Sequence, residues 1–183
     1  NEAYRETLAS CAEELQQLAQ TVGDLLYLAQ AEAPGALPSR ELVALDGVVD
    51  SLLEFYDLLA EDRQLTLRRD GVASVEGNRL MLHRAIANLL SNALKHAAVG
   101  SEVRVRLLEA DGVCRVSVHN LGTPIAAEAL PRLFDRFYRG ERGRHEGAGL
   151  GLAITRAIAQ AHGGSVSVVS DDTGTVFELV LPG

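Results

Sequence analysis

The chain has 183 residues, with 17 lysines plus arginines against 25 aspartates plus glutamates, and a formal net charge of −8. Hydrophobic residues make up 47% and charged residues 23%, values that indicate a globular chain and exclude disordered and collagen-like ones. The acidic balance argues against general nucleic-acid binding, and two cysteines without further ligands at metal spacing exclude a disulfide framework and a zinc site.

The cysteine usage fits a reducing, cytosolic setting. No apolar run approaches the roughly 18 residues that a membrane helix needs, and no signal peptide opens the chain. Because the chain starts at Asn1 and its only methionine is Met81, we expect it to be a piece of a longer protein.

A long helix is predicted over residues 4–32. Its apolar positions follow a 3-4 spacing: Leu8, Cys11, Leu15, Leu18, Val22, Leu25 and Ala29. Such a heptad seam packs lengthwise against other helices, so we expect a partner helix from upstream or from a second subunit. The alternative is that the helix lies on its own domain. The prolines and glycine at positions 34, 35 and 38 end it, which divides the chain into a helix (1–33), a linker (34–40) and a main domain (41–183).

The main domain is predicted to mix helices and strands. Leu42 and Leu45 lead into a helix over 47–61, and two short strands (65–67 and 72–75) are expected to form a hairpin at Asp70-Gly71. A helix over 79–98, two antiparallel strands joined near 111–112, a loop over 120–148, a helix over 150–161 and two final strands (165–169 and 176–181) follow. This order predicts an α+β two-layer sandwich with an antiparallel sheet and the helices on one face.

The predicted loop is rich in arginine and glycine. Residues 132–144 contain five arginines and residues 140–151 contain five glycines, whereas Lys95 is the only lysine of the chain. A positive, glycine-rich stretch in an acidic protein predicts a mobile loop that meets an anion, or else a solvated surface loop.

One face of the helix over 79–98 carries Asn88, Asn92, Lys95 and His96, at i, i+4, i+7 and i+8. Amide oxygens are hard, neutral ligands suited to Mg²⁺, and lysine supplies a point charge for phosphate. The alternative is an exposed polar stripe.

Two further segments combine glycines with groups that contact ligands. Gly147, Gly149 and Gly151 open a helix without the lysine of a phosphate-binding P-loop, and they let backbone N–H groups approach a phosphate. In the segment 120–125, which follows a strand, Asn120 offers a hydrogen bond to a base edge and Ile125 an apolar wall. Phe134 and Phe137 are expected to anchor the loop in the core.

In this order the segments resemble the ATP-binding domain of sensor histidine kinases. Residues 88–96 are similar to its N box, 120–125 to its G1 box, 133–139 to its F box and 147–152 to its G2 box, so the resemblance covers residues 40–183. It implies a Bergerat-type fold with a mixed sheet. The heptad helix is similar to the second helix of the dimerisation and phosphotransfer hairpin. The amino-acid sequences of residues 120–125 and 130–139 resemble those of heavy-metal (copper or silver) sensor kinases.

The resemblance implies a role for each matching residue. Asn92 would coordinate Mg²⁺ with Asn88 beside it, and Lys95 and His96 would face the phosphates or the ribose of ATP. Arg139, with Arg136, would reach the γ-phosphate, and Asn88, Lys95 and Arg139 are the candidate catalytic residues. The other residues that it implies for nucleotide binding are Asn120, Gly122, Ile125, Gly147, Gly149, Leu150, Gly151 and Thr175, the last as a support for adenine.

The sequence departs from the family pattern at three points. Asn120 stands where the family has aspartate, which makes the hydrogen-bond acceptor neutral, and Pro124 replaces a glycine. None of the five histidines has the setting of the family's phosphoacceptor, so we expect this chain to bind ATP but not to phosphorylate itself.

The intact protein, by the same resemblance, would dimerise through the N-terminal helix and pass the phosphoryl group to a response regulator. It would be held in the bacterial inner membrane only by segments upstream of this cytoplasmic portion. The alternatives are a degenerate binding module without nucleotide, or an ATP-hydrolysing or serine-kinase member of the same superfamily. Asn88 disfavours hydrolysis, because the hydrolysing relatives carry glutamate there as a base.

Overall fold

The computed structural model describes residues 2–32, 39–139 and 148–183. The elements are α1 (Glu2–Ala31), β1 (Glu41–Ala44), α2 (Leu45–Asp62), β2 (Thr66–Asp70), β3 (Ser74–Gly77), α3 (Arg79–His96), β4 (Glu102–Ala110), β5 (Val113–Asn120), α4 (Gly151–Ala161), β6 (Ser165–Asp171) and β7 (Gly174–Pro182). The predicted linker 34–40 lies almost entirely outside the described residues. None of the helices in those ranges combines the length and the apolar character that crossing a bilayer requires.

A five-stranded sheet forms one layer, in the order β2-β4-β5-β7-β6. Alternate residues of its strands, such as Val116 and Val118, are buried under the helices, whereas Arg115 on the other face is exposed. This confirms the two-layer sandwich. The sheet is mixed, as the resemblance implied, because β2 runs parallel to β4; the purely antiparallel sheet expected from the strand patterns is wrong.

The predicted hairpin between β2 and β3 is also wrong. β2 pairs with β4, and β3 pairs with β1, where Val43 lies opposite Val75. Gly71 has a φ of +83°, and a Cβ there would lie 2.1 Å from the Leu107 carbonyl oxygen. Glycine therefore lets the chain pass against β4 and leave that sheet. Strand β1 was not predicted from the sequence, and it takes the place of β2 as the partner of β3.

Helix α3, which carries the polar face, is fixed at both ends. The Asn78 side chain caps its N-terminus by accepting a hydrogen bond from the Met81 N–H at 3.0 Å. At its C-terminus the guanidinium of Arg63 donates hydrogen bonds to the carbonyl oxygens of Leu94, Lys95 (2.9 Å) and Ala97 (3.0 Å). The Arg63 contacts hold the end of α3 that bears Lys95 and His96.

Only the C-terminal part of α1 packs on the domain. Leu28 is 1% exposed and Ala31 is 8% exposed. The seam upstream is uncovered, since Leu8, Leu15 and Leu18 are more than half exposed. The long helix is confirmed, but the buried Leu28 and Ala31 are not residues of the predicted seam, and Ala29 of that seam is exposed. The alternative that the helix lies on its own domain holds for its last two turns, and packing of the seam against a partner helix stays a prediction.

Candidate nucleotide-binding site

The polar face of α3 meets the N-terminus of α4. Asn88 and Asn92, one turn apart, are half-buried, and Lys95 and His96 are exposed at the end of the helix. The side-chain amide of Asn88 donates a hydrogen bond to the Gly151 carbonyl oxygen at 3.0 Å, and the Thr155 hydroxyl donates to the same oxygen at 3.0 Å. Two sequence-predicted segments, around Asn88 and around Gly151, are therefore in direct contact.

The residues described on either side of positions 140–147 are joined by a backbone hydrogen bond. The Phe137 N–H donates to the Gly149 carbonyl oxygen at 3.0 Å. Gly149 has a φ of +70°, and a Cβ there would lie 2.8 Å from the Tyr138 carbonyl oxygen, so this position requires glycine. Leu150, next in the chain, is buried. Gly147 and the arginines at 142 and 144 lie outside the described residues.

The arginines and phenylalanines of residues 134–139 have different surroundings: some are exposed or ion-paired, and one is in the core. Arg139 is exposed, and Arg136 forms an ion pair with Glu32 at the end of α1. Phe134 packs edge-on against Phe177 in the core, as predicted. The same expectation for Phe137 is wrong, since its side chain is 56% exposed. Its backbone, at a φ of +61°, bonds to Gly149 and turns the side chain away from the core.

A second group of polar residues lies at the ends of β5 and β7. Asn120, 2% exposed, is directly opposite Thr175, 5% exposed. The Thr175 hydroxyl is 2.7 Å from the Ser170 hydroxyl oxygen, which accepts a hydrogen bond from the Ile125 N–H at 2.9 Å. Asn120, Ile125 and Thr175 were named as candidate residues from the sequence, but Ser170 was not. Ser170 was missed because it lies just beyond the predicted strand 165–169.

The G1 turn packs against the end of α3. A Cβ on Gly122 would lie 2.4 Å from the His96 carbonyl oxygen and 3.3 Å from the Asn120 side chain. Only glycine permits this approach, which places the buried Asn120 beside the helix end that carries Lys95 and His96.

Two of the other histidines have structural surroundings. His162 is buried; its Nε2 accepts from the Asn78 N–H at 3.0 Å and its Nδ1 lies 2.8 Å from the Ile158 carbonyl oxygen. Burial lowers its pKa. His119, on β5, is half-buried with its Nε2 3.2 Å from the Thr173 carbonyl oxygen.

The described ranges hold no cluster of three or more His, Cys, Asp or Glu side chains that could bind a metal ion. The half-buried amide of Asn92 fits the chemistry of Mg²⁺, since Mg²⁺ prefers oxygen ligands and usually keeps several waters and phosphate oxygens.

Comparisons with known proteins identify the family of this chain. Residues 77–183 match the family model described as histidine kinase-, DNA gyrase B- and HSP90-like ATPase. The chain is 46% identical over 97% of its length to the sensor histidine kinase CusS of Escherichia coli K12, and 35% identical over 92% to the sensor protein CzcS of Cupriavidus metallidurans. It spans 38% and 36% of the length of these two relatives.

Solved structures show the same architecture. Full-length ShkA in complex with AMPPNP superposes with a TM-score of 0.83 at 26% identity, over 97% of this chain and 38% of that one. ThkA in complex with the response regulator TrrA superposes with a TM-score of 0.75 at 22% identity, over 93% of this chain and 48% of that one, and shows the fold alone. The chain thus belongs to the histidine kinase-, DNA gyrase B- and HSP90-like ATPase family, as a catalytic ATP-binding domain of the sensor histidine kinase type.

Proposed function

We propose that this domain binds ATP with Mg²⁺ between α3 and α4 and presents the γ-phosphate for transfer to a histidine of the intact protein. The contact between Asn88 and the Gly151 carbonyl oxygen carries the proposal, because it joins the amide-bearing face of α3 to the glycine turn that opens α4. The buried Asn120–Thr175 pair lies at the far end of the same face and supplies the contacts to the base.

Each residue has a defined task in this proposal. Asn92 would hold the Mg²⁺, which when bound neutralises charge on the phosphate oxygens. Lys95 and His96 face the phosphates and ribose, and Arg139 reaches the γ-phosphate. Asn120 accepts the hydrogen bond from the adenine amino group. The hydroxyls of Thr175 and Ser170 and the backbone of Ile125 fix the walls around it.

Hydrolysis to water is the less favoured chemistry. A general base would have to stand one turn before Asn92, and that position is Asn88, whose side-chain nitrogen donates to the Gly151 carbonyl oxygen. An amide does not take up a proton near neutral pH, so it cannot activate water. Asn88 instead fixes α3 against α4, which favours transfer to a separate acceptor.

The partners of the intact protein are proposed on the same grounds. Dimerisation would use the seam of Leu8, Leu15 and Leu18, which is exposed in the single chain. A response regulator would receive the phosphoryl group, as in kinases of the kind that ThkA represents in its complex with TrrA. We place the domain on the cytoplasmic side of a bacterial inner membrane, where ATP and the regulator are present.

Calorimetric titration of the chain with AMPPNP, with and without Mg²⁺, tests the proposal. We expect Mg²⁺-dependent binding that Asn92→Ala weakens at least about tenfold, since one direct metal ligand is lost. Ser91→Ala, an exposed position on the same helix, is the matched control and should bind as the wild type. Absence of Mg²⁺-dependent binding, or equal binding by Asn92→Ala, would contradict the proposal.

Self-phosphorylation is a separate outcome. No histidine lies in residues 2–31, the helix that resembles part of the phosphotransfer hairpin. We therefore expect no acid-labile phosphate on the chain after incubation with labelled ATP. Stable incorporation at any of its histidines would overturn this expectation without affecting the nucleotide site.

A further inference from the structure

Helix α2 carries an apolar surface that the domain does not cover. Phe55 is 76% exposed, Leu58 is 80% exposed and Leu59 is 50% exposed. These positions, at i, i+3 and i+4, share one side of the helix, beside the buried stripe that includes Val48 and Leu52. The apolar sector of α2 is therefore wider than the surface available to bury it within this domain.

This surface belongs to a fixed element. The buried side chains of α2 extend along the helix from Leu45 to Ala60. Asp50 is bound by two nitrogens of Arg69, at 2.6 and 3.1 Å, which ties the helix to β2. The ring of Phe55 also packs edge-on against Tyr56, with centroids 5.0 Å apart. Exposed apolar side chains clustered on an ordered helix are typical of an interaction site.

The charge of α2 indicates what would cover this surface. The helix carries six acidic residues and no lysine, arginine or histidine: Asp46, Asp50, Glu54, Asp57, Glu61 and Asp62. Within the described ranges only Asp50 among them forms an ion pair. The charge favours a basic occupant, and it disfavours a second copy of the same face, which would bring two acidic helices together. An anionic lipid surface is disfavoured for the same reason.

We propose that the outer face of α2, defined by Phe55, Leu58 and Leu59, docks a basic amphipathic helix of a partner protein. Side chains three and four residues apart form a ridge along α2, the shape that a second helix covers by ridge-into-groove packing. The apolar side of the partner helix lies on the ridge, and its lysines and arginines lie over the neighbouring carboxylates. The nucleotide site plays no part in this contact, so the two proposals stand independently.

A pair of synthetic peptides tests the pairing. The probe is a fluorescein-labelled helix of roughly 18 residues made only of leucine and lysine, with the leucines on one side; the comparison peptide has glutamate in place of every lysine. Fluorescence anisotropy against the whole chain should show binding of the lysine peptide and none of the glutamate peptide. Equal binding of both would overturn the charge argument and with it the proposal.

Variants locate the binding. Phe55→Ser combined with Leu58→Ser should weaken the lysine peptide at least about tenfold, because two exposed anchors are lost while the charge of the chain is unchanged. The matched control is Leu80→Ser, since Leu80 is 77% exposed on α3. Unchanged melting temperatures would show that both proteins are folded. Binding unaffected by the double substitution refutes the proposal, and so does self-association of the wild type that the double substitution abolishes, because the occupant is then a second copy.

Discussion

Asn120 is a neutral hydrogen-bond acceptor at a position where a carboxylate would bind the amino group of adenine more strongly. It is buried beside Thr175, and its amide oxygen is a neutral acceptor. A carboxylate accepts hydrogen bonds roughly twice as strongly as a neutral group does.

Asn120→Asp should therefore bind AMPPNP more tightly, by about fivefold, which corresponds to about 1 kcal/mol from the stronger hydrogen bond. Calorimetric titration in the presence of Mg²⁺ measures the change. Asn78→Asp is the matched control, since it adds the same charge at the N-cap of α3, where aspartate is an equally good cap. Unchanged or weaker binding by a folded Asn120→Asp protein would show that Asn120 does not contact the base.

His162 makes the stability of the domain depend on pH. Its Nε2 accepts the Asn78 N–H, so the neutral form is the one that fits, and burial lowers its pKa. The unfolded chain then binds a proton more readily than the folded one. Stability is complete above the ordinary histidine pKa of about 6.5 and falls as the pH drops below that value, until the lowered pKa of the folded state is passed.

Urea unfolding between about pH 7 and pH 5 should show this loss, and His162→Gln should reduce the slope of unfolding free energy against pH in that window. His83→Gln, at an exposed position on α3, should leave the slope as in the wild type. The account fails if the slope is the same in all three proteins.

At the scale of elements, α3 depends on a side chain from outside it. Arg63 follows α2 and satisfies three carbonyl oxygens at the C-terminal end of α3. Cations at this end also interact favourably with the helix dipole. Because the same end carries Lys95 and His96 and abuts Gly122, the cap sets the position of half of the candidate site.

Arg63→Ala should lower the free energy of unfolding by about 2 kcal/mol, because two part-buried carbonyl groups and one exposed carbonyl group lose a charged donor. Arg63→Lys should recover only part of this, since lysine lacks the planar fork that reaches several acceptors. Chemical denaturation measures both values. Arg68→Ala, which removes a more exposed arginine of β2, is the control. A loss for Arg63→Ala no larger than for the control would contradict the capping role.

Elements whose apolar residues repeat regularly over many positions were predictable from the sequence. The errors in the predicted strands share one cause. Helices α1 and α3 and the strand pair β4–β5 were found because their apolar residues repeat over many positions. Strand β1 has four residues with one buried side chain, Val43, too few for a pattern to appear. Without β1, the turn at Asp70-Gly71 looked like a hairpin, although close contact with Leu107 gives that glycine another use.

Candidate site residues could be named from sequence where the residue type itself indicates the chemistry. Contacts between residues far apart in the sequence could not be predicted. Asn88 and Asn120 were singled out by their residue types, whereas Thr175 was implied only by the family resemblance. The ion pair between Glu32 and Arg136 joins residues 104 positions apart, and no local pattern indicates it. Long-range polar contacts of this kind follow from the assembled fold alone.

For the molecule as a whole, the main question is how α1 is joined to the catalytic domain. Leu28 and Ala31 bury their side chains, and Asp24 forms an ion pair with Arg84, whose guanidinium carbon lies 3.8 Å from the Tyr27 ring centroid. The Tyr27 hydroxyl is the one buried side-chain polar atom in the described ranges without a hydrogen-bond partner. The contact is thus well packed but includes a group left unsatisfied.

We expect the ion pair between Glu32 and Arg136 to link this junction to nucleotide binding. If Arg136 reaches the γ-phosphate, as proposed from the family resemblance, it must leave Glu32 to do so. Both side chains are more than two-fifths exposed, so the pair is screened by solvent and its loss costs little.

Glu32→Gln should therefore improve binding of AMPPNP by about two- to fivefold and leave ADP, which has no γ-phosphate, unchanged. Glu54→Gln, an exposed substitution on α2 with the same change in charge, should affect neither ligand. Equal changes for both ligands would show that Arg136 does not act on the γ-phosphate, and the ion pair would then serve only to hold α1 on the domain.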